Sequence, residues 1–197
     1  LSFDFKELWQ YRELFWFIAW RDIKVKYKQT MLGFVWVILQ PLAFMVIFNT
    51  LWLKIMNPAD IEIPYPLFAY SGLIIWGLFS SGISGVGESL ISNSNIIKKV
   101  YFPRIIIPSS AIMVALFDFI ITLFVLILMV LVYHIKISFI KMAGLFSCSI
   151  LITSIASFGI GLFITTATMK YRDFKYIMPF FLQAFFFVSP VIYPLGL

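Results

Sequence analysis

Five apolar stretches interrupt the chain, at residues 32–53, 67–89, 105–133, 142–169 and from 177 toward the end. Each approaches or exceeds the roughly 20 residues that a helix needs to cross a hydrocarbon layer about 30 Å thick. A soluble domain has about half its residues apolar and about a quarter charged. Here 62% are hydrophobic and 12% charged over 197 residues, so the apolar surface exceeds what one buried core can absorb. The stretches are continuously apolar instead of alternating, which favours helices over the half-length strands of a barrel. The expected fold is therefore all-α, a polytopic membrane protein with five visible transmembrane helices.

The cations lie between these stretches and sort by side. Lys6, Arg12, Arg21, Lys24, Lys26 and Lys28 precede the first span, Lys98, Lys99 and Arg104 fill the second connection, and Lys170, Arg172 and Lys175 the fourth. The alternate connections hold only Lys54, Lys136 and Lys141. Cytoplasmic loops are enriched in Lys and Arg. The amino terminus and the Lys98 and Arg172 connections are accordingly expected in the cytoplasm. The net charge of +6 is thus a topology signal, and no nucleic-acid partner is expected.

Residues 1–30 are too charged for a signal peptide and carry no cleavage pattern. At helical spacing Lys6, Gln10, Glu13, Arg21, Lys24 and Lys28 share a stripe, with Trp9, Phe15, Trp16, Ile18 and Trp20 off it. Such a helix lies in the headgroup plane, although a helix packed on a partner has the same pattern. The expected division is an interfacial amphipathic segment, 1–30, followed by a transmembrane domain, 31–197.

Polar groups inside the spans are few. Asp118 sits mid-span, where a carboxylate is costly unless paired or protonated. It reads either as a pathway group or as a helix-packing residue bonded to a neighbouring hydroxyl or tyrosine. Gly72, Gly77, Gly82, Gly85 and Gly87 in the second span, with Ser154, Ser157, Gly159 and Gly161 in the fourth, allow close helix approach. Pro41 and Pro179 interrupt spans and free carbonyls that need other partners. Two faces combine rings with amides: Trp36, Gln40 and Phe44 in the first span, Phe180, Gln183 and Phe187 in the fifth. An amide between rings suits a sugar, whose hydroxyls need hydrogen bonds while its C–H face packs on an aromatic.

Enzymatic chemistry has no visible seat. The chain has no G-x-x-x-x-G-K-[ST] phosphate loop and no Ser/His/Asp constellation, and its single cysteine, Cys148, and histidine, His134, form no metal cluster.

Three strings carry a family resemblance: LWQYRELFWFIAWRDIKVKYKQTMLGFVW at 8–36, NSNIIKKVYFPR at 93–104 and YRDFKYIMPFFLQAFFFVSPVIYP at 171–194. Together they resemble the membrane subunits of ABC-2 type exporters for cell-surface polysaccharides such as O-antigen, capsule and teichoic acid. The carrying motifs are Arg21-Asp22-x-Lys24-x-x-Tyr27, the Lys99-Val100-x-Phe102-Pro103-Arg104 loop, and Tyr171-Arg172-Asp173.

The resemblance implies a transporter subunit of the bacterial cytoplasmic (inner) membrane that moves lipid-linked polysaccharide. It implies a homodimer bound to two copies of a separate ATP-binding cassette subunit, with no cofactor in this chain and ATP and Mg in the partner. It places Asn95, Lys98, Lys99, Phe102, Pro103 and Arg104 near the ATPase and the entrance. The family would have six spans, with a short re-entrant region and a sixth helix beyond Pro194. Competing expectations are an ABC-2 exporter of drugs or small lipids, a proton-coupled carrier using Asp118, and a membrane-embedded enzyme.

Overall fold

The computed structural model describes residues 9–28, 33–55, 64–135, 139–171, 173–191 and 193, the side chains of 52–55 and 139–143 excepted. Lys6, Lys136, Arg172 and Pro194 lie outside the described residues, as do the side chains of Lys54 and Lys141. Among the described residues the secondary structure is helical: α1 (Arg12–Lys28), α2 (Val35–Ile55), α3 (Tyr65–Ser92), the short α4 (Ser94–Ile97), α5 (Ile106–Val132), α6 (Phe139–Lys170) and α7 (Phe174–Val188).

Three of these are long and apolar enough to cross a membrane: α3 with 28 residues, α5 with 27, and the 27 residues Gly144–Lys170 of α6. The expected first and fifth spans correspond to shorter apolar helices, Val35–Leu51 and Phe174–Val188. With 15 residues, α7 reaches about 22 Å, short of the roughly 30 Å apolar layer. Its end has a local cause. Ser189 precedes Pro190 and is extended, at φ −76° and ψ 140°, as the residue before proline prefers.

Helix α3 is the axle of the bundle. One stripe, Leu67, Tyr70, Ile74 and Leu78, packs on Ala115, Phe119, Leu126 and Val130 of α5, at helical spacing on both sides. The Tyr70 hydroxyl donates to the Thr122 carbonyl at 3.2 Å across this seam. The opposite side of α3 meets α6 through small residues. Ser157 is fully buried beside Gly82, Gly161 lies against Val86, and the Thr165 hydroxyl donates to the Val86 carbonyl at 2.7 Å. The expectation that small residues serve packing thus holds for Gly82, Gly87, Ser157 and Gly161, whereas a Cβ at Gly77 or Gly159 would meet nothing within 4 Å.

Directions alternate along the bundle. Residue numbers rise together across the α3–α6 seam and in opposite senses across α3–α5. Helix α7 runs back along α3, with Lys175 by Glu88 at 3.8 Å, Phe186 by Trp76, and the Val191 carbonyl against Gly72. The 93–105 and 170–173 connections therefore share one end of the bundle, called here the Lys98 end.

Helix α1 starts at that same end. Ile18 is buried with Phe102, Ile106 and Ile107, and Tyr11, Leu14 and Phe15 pack around them. One face of α1 is thus occupied by protein, while Trp16, Phe17 and Trp20 stay exposed. Arg21, which falls on the charged stripe in the sequence, is turned inward to Asn93. Just before α2, Gly33 has a φ of +50°, which favours a residue without a Cβ.

Phe102 pins the Lys98 loop to this cluster. Phe102→Ala is expected to cost about 3–5 kcal/mol, as a large-to-small core change does. Limited proteolysis should then cut between residues 98 and 104 in the variant under conditions that spare the parent chain.

Candidate functional site

A groove follows α3 along most of its length and divides into two cavities. The first, about 870 Å³, opens toward the Lys98 end between α1, α3, α5 and α7. Its lining is mainly apolar but carries a charged and amidic set: Arg21, Asp22, Glu88, Asn93, Asn95 and Lys175. Arg21 holds Asp22 at 2.6 Å and donates to the Asn93 Oδ1 at 2.5 Å, which ties α1 to the end of α3. Of the expected entrance residues, Asn95 lines this cavity and Phe102 is buried beneath the loop. Pro103 is half-buried, and Lys98, Lys99 and Arg104 are exposed together with Tyr101. Lys24 is exposed beside the Trp20 ring, at 5.5 Å from its centroid. Tyr171 is exposed with Lys170 over its ring, and the Asp173 carbonyl accepts from the Tyr176 and Ile177 N–H groups to start α7.

The second cavity, about 610 Å³, continues beyond the first between α2, α3, α5 and α7. It gathers Trp36, Gln40 and Phe44 from α2 and Gln183 and Phe187 from α7. Two separate helices thus deliver their ring-and-amide faces to one chamber. Phe180 does not join them: it is 72% exposed and lies off the lining. The chamber also holds Phe48, Trp76 and Phe186. Phe186 is its hub, with ring centroids 6.5 Å from Phe44, 6.1 Å from Phe48, 5.5 Å from Trp76 and 5.5 Å from Phe187. These fall within the 4.5–7 Å range of attractive tilted and edge contacts.

The signal for Phe48 was present in the sequence, one further helical step beyond Phe44. Phe186 stands three residues after Gln183, beside the Phe187 that the face analysis selects. Trp76 carries no such signal, because its own helix is dominated by small packing residues.

Both internal prolines free a backbone carbonyl on a residue that lines the groove. Pro41 removes the hydrogen bond to the Val37 carbonyl, and both residues line the chamber. Pro179 does the same for Lys175, and both line the first cavity. Among the described residues, the Gln40 and Gln183 side chains hydrogen-bond to no other protein group, and both are exposed to the groove. The chamber therefore offers free amides between aromatic faces, which is a surface able to hold a polar, ring-shaped solute weakly at many points.

Asp118 is paired. Lys26 donates to its Oδ2 and Tyr27 to its Oδ1, and the Tyr27 ring packs edge-on against Phe117 at 5.7 Å. Burial, and after it the hydrogen bond and charge of Asp118, push the Tyr27 phenol above its ordinary value, which keeps it a donor. The packing alternative, a carboxylate bonded to a tyrosine, matches this geometry. Lys26 was legible only as one more topological cation.

A bundle of apolar helices around a groove with charged and amidic groups toward one end and rings farther along defines a multi-pass membrane protein. The chain belongs to the ABC-2 type transporter family, whose sequence model matches residues 13–197. It is 28% identical to the O-antigen export system permease protein RfbA of Myxococcus xanthus over 97% of this chain and 72% of that protein. It is 31% identical to the protein of the same name from Klebsiella pneumoniae, over 88% of this chain and 66% of the relative. It is 27% identical to the polysialic acid transport protein KpsM of Escherichia coli, over 89% and 67%. The chain thus spans roughly two-thirds to three-quarters of the length of these relatives.

Proposed function

We propose that this chain is the channel-forming transmembrane subunit of an ATP-driven exporter that moves an O-antigen-like, lipid-linked polysaccharide across the bacterial cytoplasmic membrane. The observation that carries the reading is the convergence of Trp36, Gln40, Phe44, Gln183 and Phe187 on one chamber. A polymer has to slide, so many weak stacking and amide contacts serve it better than a few tight ones, as conduction requires of ions. The relatives' names point to the same cargo.

The reading assigns ATP and Mg to a separate cassette subunit, present in two copies, because the chain carries no phosphate loop. Helix α7 buries none of its residues, and Phe180, Phe181 and Phe185 stand exposed along it. That bare rim suits a second copy of this chain closing the groove from its open side. The Lys98 end faces the cytoplasm in this reading, since twelve of the fifteen cations belong to the segments that meet there. Lys98, Lys99, Tyr101 and Arg104 then project toward the cassette subunit from a loop anchored by Phe102, with Arg21, held by Asp22, bracing the same end through Asn93.

The test is copurification followed by reconstitution. The chain should bring down a phosphate-loop ATPase, and lipid-linked glycan should stimulate hydrolysis several-fold over the empty complex. Stimulation by hydrophobic drugs or simple lipids, with no response to glycan, would replace this reading with that of a drug or small-lipid exporter.

A further inference from the structure

The two cavities adjoin and share four lining residues: Lys26, Ser81, Ser84 and Asp118. The boundary between the charged cavity and the aromatic chamber is therefore where the last turn of α1 meets α5, opposite two serines of α3. We propose that the contact of Lys26 and Tyr27 with Asp118 is a latch that closes the groove at this point, so that α1 must leave α5 before a solute passes from one cavity to the other. The inference rests on the transport reading only in that a path exists to be closed.

Three features support a latch over a passive brace. Consecutive residues of α1 occupy the two carboxylate oxygens separately, Lys26 on Oδ2 and Tyr27 on Oδ1, which fixes both the position and the rotation of that turn. The pair is unevenly shielded: the Lys26 side chain is 44% exposed and that of Asp118 13%. The cation thus faces the groove while its partner stays sheltered, so release leaves the charge that needs a partner on α5 and draws α1 back to it. Finally, α1 ends at Lys28, and α2 presents Trp36 and Gln40 to the chamber. Release at Asp118 therefore displaces a turn only about ten residues from the chamber wall, a span of at most about 35 Å when extended and far less in a helix.

Reporter cysteines read the latch directly, in a Cys148→Ser background, because Cys148 is exposed. Ser92 lines the first cavity. Gly77 lines the chamber, and a Cβ there meets nothing within 4 Å, so Gly77→Cys fits without displacement. Ser157 is fully buried in the α3–α6 seam and reports general loosening. The complex with its cassette subunit is reconstituted in vesicles that expose the Lys98 end, as verified by labelling Lys170→Cys, an exposed position at that end. A membrane-impermeant sulfonated maleimide is then added without nucleotide.

With the native pair, Ser92→Cys should label quickly and Gly77→Cys slowly. Lys26→Met should speed Gly77→Cys labelling about tenfold, as expected when a minor open state becomes the major one. Ser92→Cys should keep its rate and Ser157→Cys should stay unlabelled. The reversed pair, Lys26→Asp with Asp118→Lys, should return Gly77→Cys to slow labelling. If Lys26→Met inserts poorly, Asp118→Asn with Tyr27→Phe removes the same contacts. Fast labelling of Gly77→Cys with the native pair would overturn the proposal, as would an unchanged slow rate without the pair, or equal acceleration at Ser157→Cys. No glycan enters this assay. A failed latch leaves the export reading standing, and a complex that labels as expected but exports no glycan overturns the export reading alone.

Discussion

Gly161→Ala is expected to destabilise the bundle by about 1–3 kcal/mol, the cost of forcing one extra carbon into a packed seam. A Cβ at position 161 would lie 2.6 Å from the Cβ of Val86 and 3.4 Å from the Ile83 carbonyl oxygen. Val86 is fully buried, and its carbonyl accepts the Thr165 hydroxyl at 2.7 Å, so neither wall of the seam can yield cheaply. Helix association in lipid depends on such close packing, because lipid tails are as apolar as the side chains they replace. Gly159 supplies the contrast on the same helix. Nothing lies within 4 Å of its Cβ, so Gly159→Ala should be neutral or stabilising by up to about 1 kcal/mol through helix propensity. Unfolding in mixed micelles by added sodium dodecyl sulfate measures both variants. Equal midpoints would mean that the α3–α6 seam is not the one described.

Phe186→Leu is expected to lower glycan export about tenfold while leaving insertion and basal ATP hydrolysis intact. Four rings surround Phe186, and aromatic pairs contribute about 0.5–1.5 kcal/mol each beyond area burial, so losing all four is more than enough to disorganise the chamber wall. Leucine keeps the site apolar but has no ring face to organise Phe44, Phe48, Trp76 and Phe187. Trp76→Leu should behave in the same way. Phe180→Leu should stay within about twofold of the parent, because Phe180 is off the lining and leucine keeps the exposed rim of α7 apolar. Parental export by Phe186→Leu would remove the chamber from the path, and a fall with Phe180→Leu as large as with Phe186→Leu would move the path to the outer face of α7.

Much of the chamber was legible because helical spacing is a local property. Residues three or four apart share a face, so Trp36, Gln40 and Phe44 could be grouped without coordinates, as could Gln183 and Phe187. The same rule could not tell Phe180 from Phe186. Both fall within one helical step of Gln183, and their fates differ only because α3 and α2 stand on one side of α7 and not on the other. Trp76 shows the converse: a ring on a helix read as packing surface became chamber wall because Gly77 beside it leaves space.

The amino-terminal segment separates two kinds of information. Its charges and aromatic content marked residues 1–30 as an interfacial amphipathic segment, and α1 takes up Arg12–Lys28 of it. Its partner was not written in it. Lys26 and Asp118 lie 92 positions apart, and no periodicity or composition connects them.

The apolar runs, the placement of cations and the Pro and Gly breaks dictated an all-helical membrane protein and the positions of its turns. The reason is that solvation by lipid and backbone geometry act on each segment separately. Which small residues touch, how far α7 reaches before Pro190, which rings meet at Phe186 and what neutralises Asp118 depended on the assembled bundle. Those outcomes follow from close packing between segments distant in the chain, where a shift of one ångström or a turn of one helix changes the neighbour, and no single segment carries that information.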